Sequence, residues 1–281
     1  MNKALAAGAD LIAENQVLRV DERDEDVLIE SEKNIYQSKY LIAADGANSK
    51  IAAYLNRDRK KIRAYNGVAV EAEIEREKLI NDCFKDQILV DFKYIKNGYA
   101  WLFPKARYLS IGLVTMKSQR LNIREILNNY LSDLNIELKK SKFLIQGHPL
   151  PIYSKNSNLK RASRKILLVG DAANLADAFI GEGIYYALVS GFAAAESIIK
   201  SSNNQLLVSE NYQNILESTI FSELIAAEKT ASLFYNNQKI VKMLLQRRRD
   251  LLVTFMDTVQ GIESYNELAN LFNFLKKLLR I

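Results

Sequence analysis

One pattern in this sequence is especially suited to binding a reactive group. It consists of an acid directly after an apolar run, followed by a pair of glycines. Gly170-Asp171-Ala172-Ala173 follows the apolar residues 166–169, and Gly181-Glu182-Gly183-Ile184 opens a long alanine-rich segment. A carboxylate at the end of a strand can accept hydrogen bonds from sugar hydroxyls. A helix N-terminus behind it presents free N–H groups and a positive dipole end to an electron-rich ligand. The order therefore predicts a site for a cofactor.

A second acid with the same placement is Asp45, which closes the apolar run 40–44 and is followed by Gly46. An Asp-Gly pair alone is typical of a turn. Together with Gly170-Asp171 it indicates two parts of one cofactor-binding architecture. Both runs are continuously apolar, which is typical of strands buried on both faces of a sheet. Ser49 is a suitable N-cap for a helix predicted over residues 50–55.

Aromatic residues alternate with other residues in the segment Tyr99-Ala100-Trp101-Leu102-Phe103-Pro104-Lys105. In a strand this alternation places Tyr99, Trp101 and Phe103 on one face, which we call the aromatic wall, and Pro104 ends the strand pairing. Taken alone, such alternation is typical of ordinary strand packing. A flat aromatic surface also suits a long apolar ligand, which is held by burial and shape.

The composition is that of a folded globular protein: 281 residues, 48% hydrophobic and 26% charged. The single Cys83 excludes a disulfide framework or a multi-cysteine zinc site within one copy. The single His148 argues against a histidine-rich metal centre, and we expect it in a loop. We therefore predict no metal site.

The net charge of +6 is spread along the chain, with one dense basic cluster at residues 247–249. No nucleic-acid-binding motif accompanies it, so nucleic acid is not a predicted partner. The cluster and the basic face of the last helix could contact anionic lipid head groups. No window reaches the roughly 18 apolar residues of a membrane span, and no secretory signal opens the chain. The expected location is cytoplasmic, with peripheral contact at the inner membrane surface as an option.

These motifs, in this order, resemble a known family. Ala44-Asp45-Gly46-Ala47-Asn48-Ser49, Gly170-Asp171-Ala172-Ala173 and Gly181-Glu182-Gly183-Ile184 are similar to motifs of flavoproteins with the para-hydroxybenzoate hydroxylase fold. The segment from Tyr99 to Lys105 resembles the Tyr-x-Trp-x-Phe-Pro-Lys signature of the geranylgeranyl reductases, which line a prenyl tunnel with it. The resemblance covers essentially the whole chain.

The resemblance implies an α/β fold with three parts. A partial FAD-binding domain of glutathione-reductase type comprises residues 1–64 and 160–200, an inserted antiparallel β-sheet substrate domain comprises 65–159, and a helical region comprises 201–281. It also implies that reduced FAD saturates double bonds of a prenyl lipid. The implied cofactor-binding residues are Val17, Asp45, Gly46, Asp171, Gly181, Gly183 and Ile184, and the implied substrate-binding residues are Tyr99, Trp101, Phe103, Pro104 and Lys105. Lys105 would meet a phosphate-containing head group as a mobile cation.

The sequence departs from the family at its start. No Gly-x-Gly-x-x-Gly occurs before Asp45, so the turn that would hold the FAD pyrophosphate is missing, and we expect an absent first βαβ unit of about 30 residues. Asn174 and Ala178 replace a glycine and a proline that are usual in relatives. We therefore expect weak or no FAD binding by this chain alone. An exposed sheet edge would favour self-association or pairing with an N-terminal half.

Three interpretations of function remain at this stage. The first is a geranylgeranyl reductase-like flavoprotein in which no side chain is a convincing proton donor and Tyr99 is only a conceivable one, so the catalytic residues are unknown. The second is a hydroxylase or monooxygenase of the same fold acting on an aromatic ring. The third is a non-catalytic fragment or one half of a split enzyme. Whether the start is misassigned, the gene split or the protein inactive stays open.

Overall fold

The computed structural model describes residues 2–57, 67–78, 87–117, 121–136, 145–201 and 205–278. The strands are β1 (Val17–Glu22), β2 (Val27–Ser31), β3 (Ile35–Ser38), β4 (Leu41–Ala43), β5 (Gly67–Glu75), β6 (Leu89–Asp91), β7 (Gly98–Pro104), β8 (Tyr108–Thr115), β9 (Ile145–Leu150) and β10 (Ile166–Leu168). The α-helices are α1 (Asn2–Ala6), α2 (Lys50–Leu55), α3 (Ile123–Asp133), α4 (Ile184–Lys200), α5 (Gln205–Leu216), α6 (Ser222–Asn236), α7 (Gln238–Arg247), α8 (Arg249–Val259) and α9 (Tyr265–Leu278). Cys83 lies outside the described residues.

The two continuously apolar runs meet in a small parallel sheet. Strands β4 and β10 pair in parallel, with Leu41 opposite Ile166 and Ala43 opposite Leu168. All of β10 is fully buried, as its sequence predicts. The prediction of a strand buried on both faces is wrong for β4, because its central residue, Ile42, is 38% exposed. Among the described strands β4 has β10 as its one neighbour, so Ile42 gains little cover from the sheet.

Strands β1, β2 and β3 form an antiparallel meander whose apolar side contributes to the same core as β4 and β10. Helix α5 also reaches this core, since the buried hydroxyl of Tyr212 donates to the carbonyl oxygen of Leu168 at 2.5 Å. Helix α2 begins as predicted, with Ser49 accepting a hydrogen bond from the Ala52 amide at 2.8 Å. The parallel strands, the meander and helices α2 and α5 therefore share one core.

The five remaining strands form an antiparallel sheet in the order β6-β7-β8-β5-β9. One face of this sheet is largely apolar, with Leu102, Ile111 and Leu113 buried against Leu127 and Tyr130 of helix α3. The other face carries the aromatic wall. The expectation that His148 lies in a loop is wrong, because it belongs to β9 and pairs with Ala69 of β5. Pairing of β9 with β5 keeps the Gly-His-Pro segment extended, although its local sequence favours a loop.

Helices follow one another from Ile184 to the end of the described chain, as the sequence predicts. Helices α6 and α9 pack closely, and Tyr265, Leu268 and Phe272 of α9 are buried in a second core with Phe234 and Phe255. Within the described residues, no helix has the length and apolar character needed to cross a bilayer. The mixed α/β architecture, with its antiparallel sheet and C-terminal helices, confirms the predicted fold class.

Candidate functional site

The loop that follows β10 places Asp171 against the start of helix α4. Gly170 has a φ of +54°, and its amide donates to the Ser190 hydroxyl of α4 at 2.9 Å. A Cβ at Gly170 would lie 3.0 Å from the Cβ of Ala187, so glycine is favoured by both this close approach and the positive φ. A Cβ at Gly183 would lie 3.5 Å from Asp171 Oδ1, so the acid and the helix N-terminus are neighbours. Burial raises the pKa of the Asp171 carboxyl.

The loop that follows β4 converges on the same place. Asp45 accepts a hydrogen bond from the Ser49 hydroxyl at 2.6 Å, and Gly46 has a φ of +74°. Because β4 and β10 are parallel, the loops at their carboxyl ends lie at the same edge of the sheet. A cavity of about 370 Å³ lies between the loops, lined by residues that include Ala47, Ser49, Asp171 and Asn174. Asp45 itself organises its own turn rather than lining this cavity.

Residues 177–183, which we call the glycine-pair loop, are held by a buried carboxylate that sequence analysis missed. Asp177 is fully buried and accepts hydrogen bonds from the amides of Phe179, Ile180 and Glu182 at 2.7, 2.9 and 2.7 Å. Burial raises the pKa of Asp177 to about 6, although the three amides lower it. An acid within the otherwise apolar segment 175–180 is the sequence signal that could have revealed it.

Three tyrosines from three elements also hold the glycine-pair loop. Tyr99 of β7 donates to the Ile180 carbonyl at 2.7 Å, and Tyr235 of α6 donates to the Phe179 carbonyl at 2.7 Å. The Tyr265 side chain of α9 hydrogen-bonds to Asp177. Gly181, with a φ of +76°, turns the chain between these contacts toward Gly183. The loop is therefore tied to the antiparallel sheet and to the C-terminal helices at once.

The aromatic wall forms as the alternation predicts, on the face of β7 opposite the α3 core. The Tyr99 and Trp101 ring centroids are 6.2 Å apart, and the Trp101 and Phe103 rings are nearly parallel, also at 6.2 Å. The Trp101 indole lies over Gly112, where a Cβ would come within 2.1 Å of the ring. Its Nε1 donates to the Ser110 hydroxyl at 3.1 Å. Strand β7 ends at Pro104.

Lys105 is already paired at the outer end of the aromatic wall. Its ammonium group hydrogen-bonds to Glu73, and Glu71 lies 4.0 Å away. These carboxylates raise the pKa of Lys105, chiefly through the hydrogen bond to Glu73. The cation that sequence analysis assigned to a phosphate-containing head group is thus engaged by two acids of β5.

Val17 lies apart from the cavity that Asp171 lines. It lines a different cavity of about 280 Å³, together with Arg19, Lys50 and Tyr54. Lys50 lines both cavities, so the two lie on either side of the start of α2. Ile184 is the last of the residues predicted to bind the cofactor, and its side chain is 75% exposed.

A buried arginine supports the Asp171 loop from behind, and sequence analysis did not single it out. Arg161 is 9% exposed, and its Nε donates to the Ala173 carbonyl at 2.8 Å. The guanidinium lies over the rings of Tyr153 and Phe221, 5.4 and 5.3 Å from their centroids. Burial lowers the pKa of Arg161. Among the described residues, no group of three His, Cys, Asp or Glu side chains could hold a metal ion.

Comparison of the sequence with known proteins finds relatives of partial length. An uncharacterised protein of Methanosarcina barkeri is 29% identical over 237 residues, which is 84% of this chain and 59% of that protein. Geranylgeranyl diphosphate reductase of Synechocystis is 31% identical over 62% of this chain and 42% of its own length. Digeranylgeranylglycerophospholipid reductase of Methanocaldococcus jannaschii is 26% identical over 91% of this chain and 72% of its own length. No protein-family model matches the chain.

Comparison with solved structures concerns the fold. A geranylgeranyl bacteriochlorophyll reductase-like protein of Thermoplasma acidophilum has a TM-score of 0.67 at 20% identity, covering 83% of this chain and 60% of that one. A flavin-dependent brominase has a TM-score of 0.63 at 15% identity, covering 100% of this chain and 74% of that one. The named relatives confirm the resemblance to geranylgeranyl reductases. The chain spans about half the length of the first two relatives.

Proposed function

We propose that this chain, whose resemblance to geranylgeranyl reductases is confirmed by its relatives, forms the substrate-binding part of a flavoprotein that reduces carbon–carbon double bonds of a prenyl lipid. The observation that carries the proposal is the hydrogen bond from the Tyr99 hydroxyl to the Ile180 carbonyl. It joins the aromatic wall to the glycine-pair loop, and that loop leads directly into Gly183 beside Asp171. A surface for an apolar chain and a site for a cofactor are therefore adjacent.

The residues around the first cavity fit the ribityl and ring end of FAD. Asp171 lines the cavity, and a carboxylate can accept hydrogen bonds from ribityl hydroxyls. Gly183 and Ile184 lie at the N-terminus of α4, where the helix dipole favours an electron-rich group. The pyrophosphate end finds no fit, because the chain contains no Gly-x-Gly-x-x-Gly turn. Val17 and the second cavity remain a proposed contact for the adenine end.

FAD, when bound and reduced, would supply a hydride to the alkene carbon. This chain's own contribution is binding and orientation. The prenyl chain would lie along Tyr99, Trp101 and Phe103, and each buried five-carbon unit would contribute about 3 to 4 kcal/mol at roughly 0.8 kcal/mol per carbon group. Several units would bind without a polar anchor, which agrees with the pairing of Lys105 to Glu73.

Tyr99 is a positioning residue in this proposal and not the proton donor. Its hydroxyl hydrogen is directed to the Ile180 carbonyl, and burial raises the pKa of Tyr99 above its ordinary value. Both effects hold the proton on the phenol. No described side chain is assigned as the donor.

Trp101 provides a direct test of substrate binding, since it is the chain's one tryptophan. Titration with geranylgeranyl glycerol ether should shift the emission of Trp101 to shorter wavelength as the indole loses water contact. Dimethylallyl alcohol, a single prenyl unit, should produce a much smaller shift at the same concentration. An unchanged spectrum with a folded chain would reject the prenyl substrate.

The reaction itself is tested by product mass. The chain is incubated with excess FAD, dithionite and the same ether, and flavin binding is followed by fluorescence polarisation. Each reduced double bond adds two hydrogen atoms to the product, whereas the saturated ether should remain unchanged. Bound lipid and bound flavin without a gain of hydrogen would reject the reduction. Oxygen incorporation into a phenol under aerobic conditions would instead support the hydroxylase.

A further inference from the structure

Helix α8 is apolar on its outward side as well as on the side that faces the protein. The buried side is formed by Leu251, Phe255 and Thr258. The opposite side carries four apolar residues at helical spacing, which we call the outward stripe: Leu252, Val253, Met256 and Val259. They are between 36% and 51% exposed. A continuous apolar stripe that a helix turns to solvent is typical of an interaction surface.

The outward stripe begins next to unpaired positive charge. Arg249 precedes Val253 by four residues, so it lies on the same side of α8. Arg247 and Arg249 are exposed, and neither has an acidic partner among the described residues, whereas Arg248 between them pairs with Asp250. Residues 238–259, which span α7 and α8, contain five basic and two acidic residues. The stripe and its arginines therefore complement a surface that is apolar inside and anionic outside.

An anionic bilayer has this combination of properties. Apolar side chains of a surface helix enter the boundary between head groups and acyl chains, while its arginines stay with the phosphates. Helix α8 has 11 residues and is about 16 Å long, so it would lie along the surface. Helix α4 also exposes large apolar residues, Phe192 among them, but its exposed charges, Glu196 and Lys200, pair with each other. It offers no excess of positive charge.

The buried side of α8 reaches the aromatic wall through a single ring. The Phe255 ring centroid lies 6.3 Å from that of Phe92, and the Phe92 centroid lies 5.6 Å from that of Tyr99. The outward stripe is on the other side of the same helix, and a helix with its side chains is about 10 Å across. A bilayer in contact with the stripe would therefore lie close to the surface proposed for the prenyl chain.

We infer that the outward stripe of α8, together with Arg247 and Arg249, binds the surface of an anionic bilayer. Val253 and Met256 lie among the lipids, and the two arginines contact phosphates. The position beside the aromatic wall agrees with a lipid substrate. The inference rests on exposure and charge and not on the proposed reaction, so the two can fail independently.

Vesicle flotation tests the inference. The 281-residue chain is mixed with vesicles of phosphatidylglycerol and phosphatidylcholine in equal amounts, or of phosphatidylcholine alone. These lipids carry no prenyl chain, so flotation does not report on the proposed substrate. We expect at least tenfold tighter binding to the anionic vesicles, and binding should weaken as the salt concentration rises. A folded chain that does not bind the anionic vesicles would overturn the inference.

A charge within the outward stripe should prevent insertion. Met256→Glu should weaken binding to anionic vesicles at least tenfold, because it places a carboxylate among the lipids, and Val253→Glu should do the same. The matched control is Leu207→Glu on α5, because Leu207 is 42% exposed and Met256 is 45% exposed. The control should bind like wild type. Equal binding by Met256→Glu and wild type would overturn the inference.

The arginines are tested by removing their charge. Arg247→Gln/Arg249→Gln should lose most of the preference for anionic over neutral vesicles. Lys33→Gln/Arg107→Gln removes the same charge from two exposed positions between strands and should keep that preference. Full preference in the Arg247→Gln/Arg249→Gln variant would overturn the assignment of the phosphate contacts.

Circular dichroism checks folding, and all variants should keep the wild-type thermal midpoint because the changed side chains are exposed. Two further outcomes would overturn the inference by assigning the contact elsewhere. Vesicle binding that Phe192→Glu abolishes and Met256→Glu does not would place the contact on α4. Dimerisation in sedimentation that Met256→Glu abolishes, without vesicle binding by wild type, would assign the outward stripe to a second copy of the chain.

Discussion

The Tyr99 hydroxyl donates a hydrogen bond of 2.7 Å to the carbonyl oxygen of Ile180, 81 residues later in the chain. Tyr99 begins the aromatic wall, and Ile180 lies in the glycine-pair loop. The bond sets the distance between the surface proposed for the prenyl chain and the helix N-terminus proposed for the flavin. In the proposed function, the geometry of the site therefore depends on a contact between the antiparallel sheet and the glycine-pair loop, which pack against the same apolar core.

Replacing Tyr99 by Phe should loosen the glycine-pair loop. The change leaves the Ile180 carbonyl without its donor, which should lower the free energy of unfolding by about 1 to 2 kcal/mol. Hydrogen exchange of the loop amides should accelerate more than that of the β8 amides. Tyr185→Phe is the matched control, because Tyr185 is 56% exposed and should give no measurable change. Equal exchange in Tyr99→Phe and wild type would contradict this role.

Replacing Gly112 by Ala should displace the Trp101 ring. The new Cβ would lie 2.1 Å from the indole, closer than atoms can approach. We expect a loss of about 1 to 3 kcal/mol in the free energy of unfolding and a red-shifted Trp101 emission. Gly147→Ala, in the same sheet, has its nearest neighbour at 3.8 Å and should be tolerated. Similar spectra for the two variants would show that Trp101 does not depend on Gly112.

The buried carboxyl of Asp177 should make stability depend on pH. Its pKa is raised from 3.8 to about 6, so the native state binds the proton more tightly than the unfolded state. The native state is therefore favoured below the unfolded pKa, and this stability is lost as pH rises from about 4 to about 6. The loss should amount to about 3 kcal/mol.

Urea unfolding at a series of pH values measures this dependence in wild type and in Asp177→Asn. The asparagine variant should not lose stability between about pH 4 and pH 6, because it carries no titrating carboxyl at this position. It should also be less stable at low pH, since one amide oxygen replaces two carboxyl oxygens that accept three N–H bonds. Identical pH profiles would exclude Asp177 as the titrating group.

Replacing Arg161 by Lys should destabilise the loop that carries Asp171. Lysine lacks the Nε donor to the Ala173 carbonyl and the planar group that lies over Tyr153 and Phe221. The expected loss in the free energy of unfolding is about 2 kcal/mol. Arg164→Lys is the comparison, because Arg164 forms an exposed ion pair with Asp24 and should change stability by less than about 1 kcal/mol. An Arg161→Lys protein with the same free energy of unfolding as wild type would contradict this role of Arg161.

Replacing Glu73 by Gln should change the preference for the substrate head group. The variant frees the Lys105 ammonium from its closest acid. Binding of geranylgeranyl diphosphate, followed by Trp101 emission, should then tighten several-fold, while binding of geranylgeraniol should stay constant. Gln146→Glu, which adds an acid on neighbouring β9, should not tighten the binding of geranylgeranyl diphosphate. Unchanged diphosphate binding in Glu73→Gln would show that the Lys105 ion pair has no part in head-group choice.

The sequence by itself determined the elements whose cause is local. The apolar run 166–169 formed the fully buried strand β10 over its first three residues, Ser49 capped α2, and alternation put Tyr99, Trp101 and Phe103 on one face of β7. Each depends on residues a few positions apart, which strand or helix geometry already orders. The resemblance of the motifs to geranylgeranyl reductases also needed no coordinates.

Only the tertiary structure decided which polar groups meet across the chain. The Tyr99 bond to Ile180 and the pairing of Lys105 with Glu73 each join residues that no local pattern relates. The apolar pattern of α4 likewise predicts a helix but not which side faces the protein. At the Gly170 loop, α4 presents Ala187 and Ser190, because the close approach there leaves room only for small residues. Tyr186 of the same helix is buried in the core, while Leu188 and Phe192 are exposed.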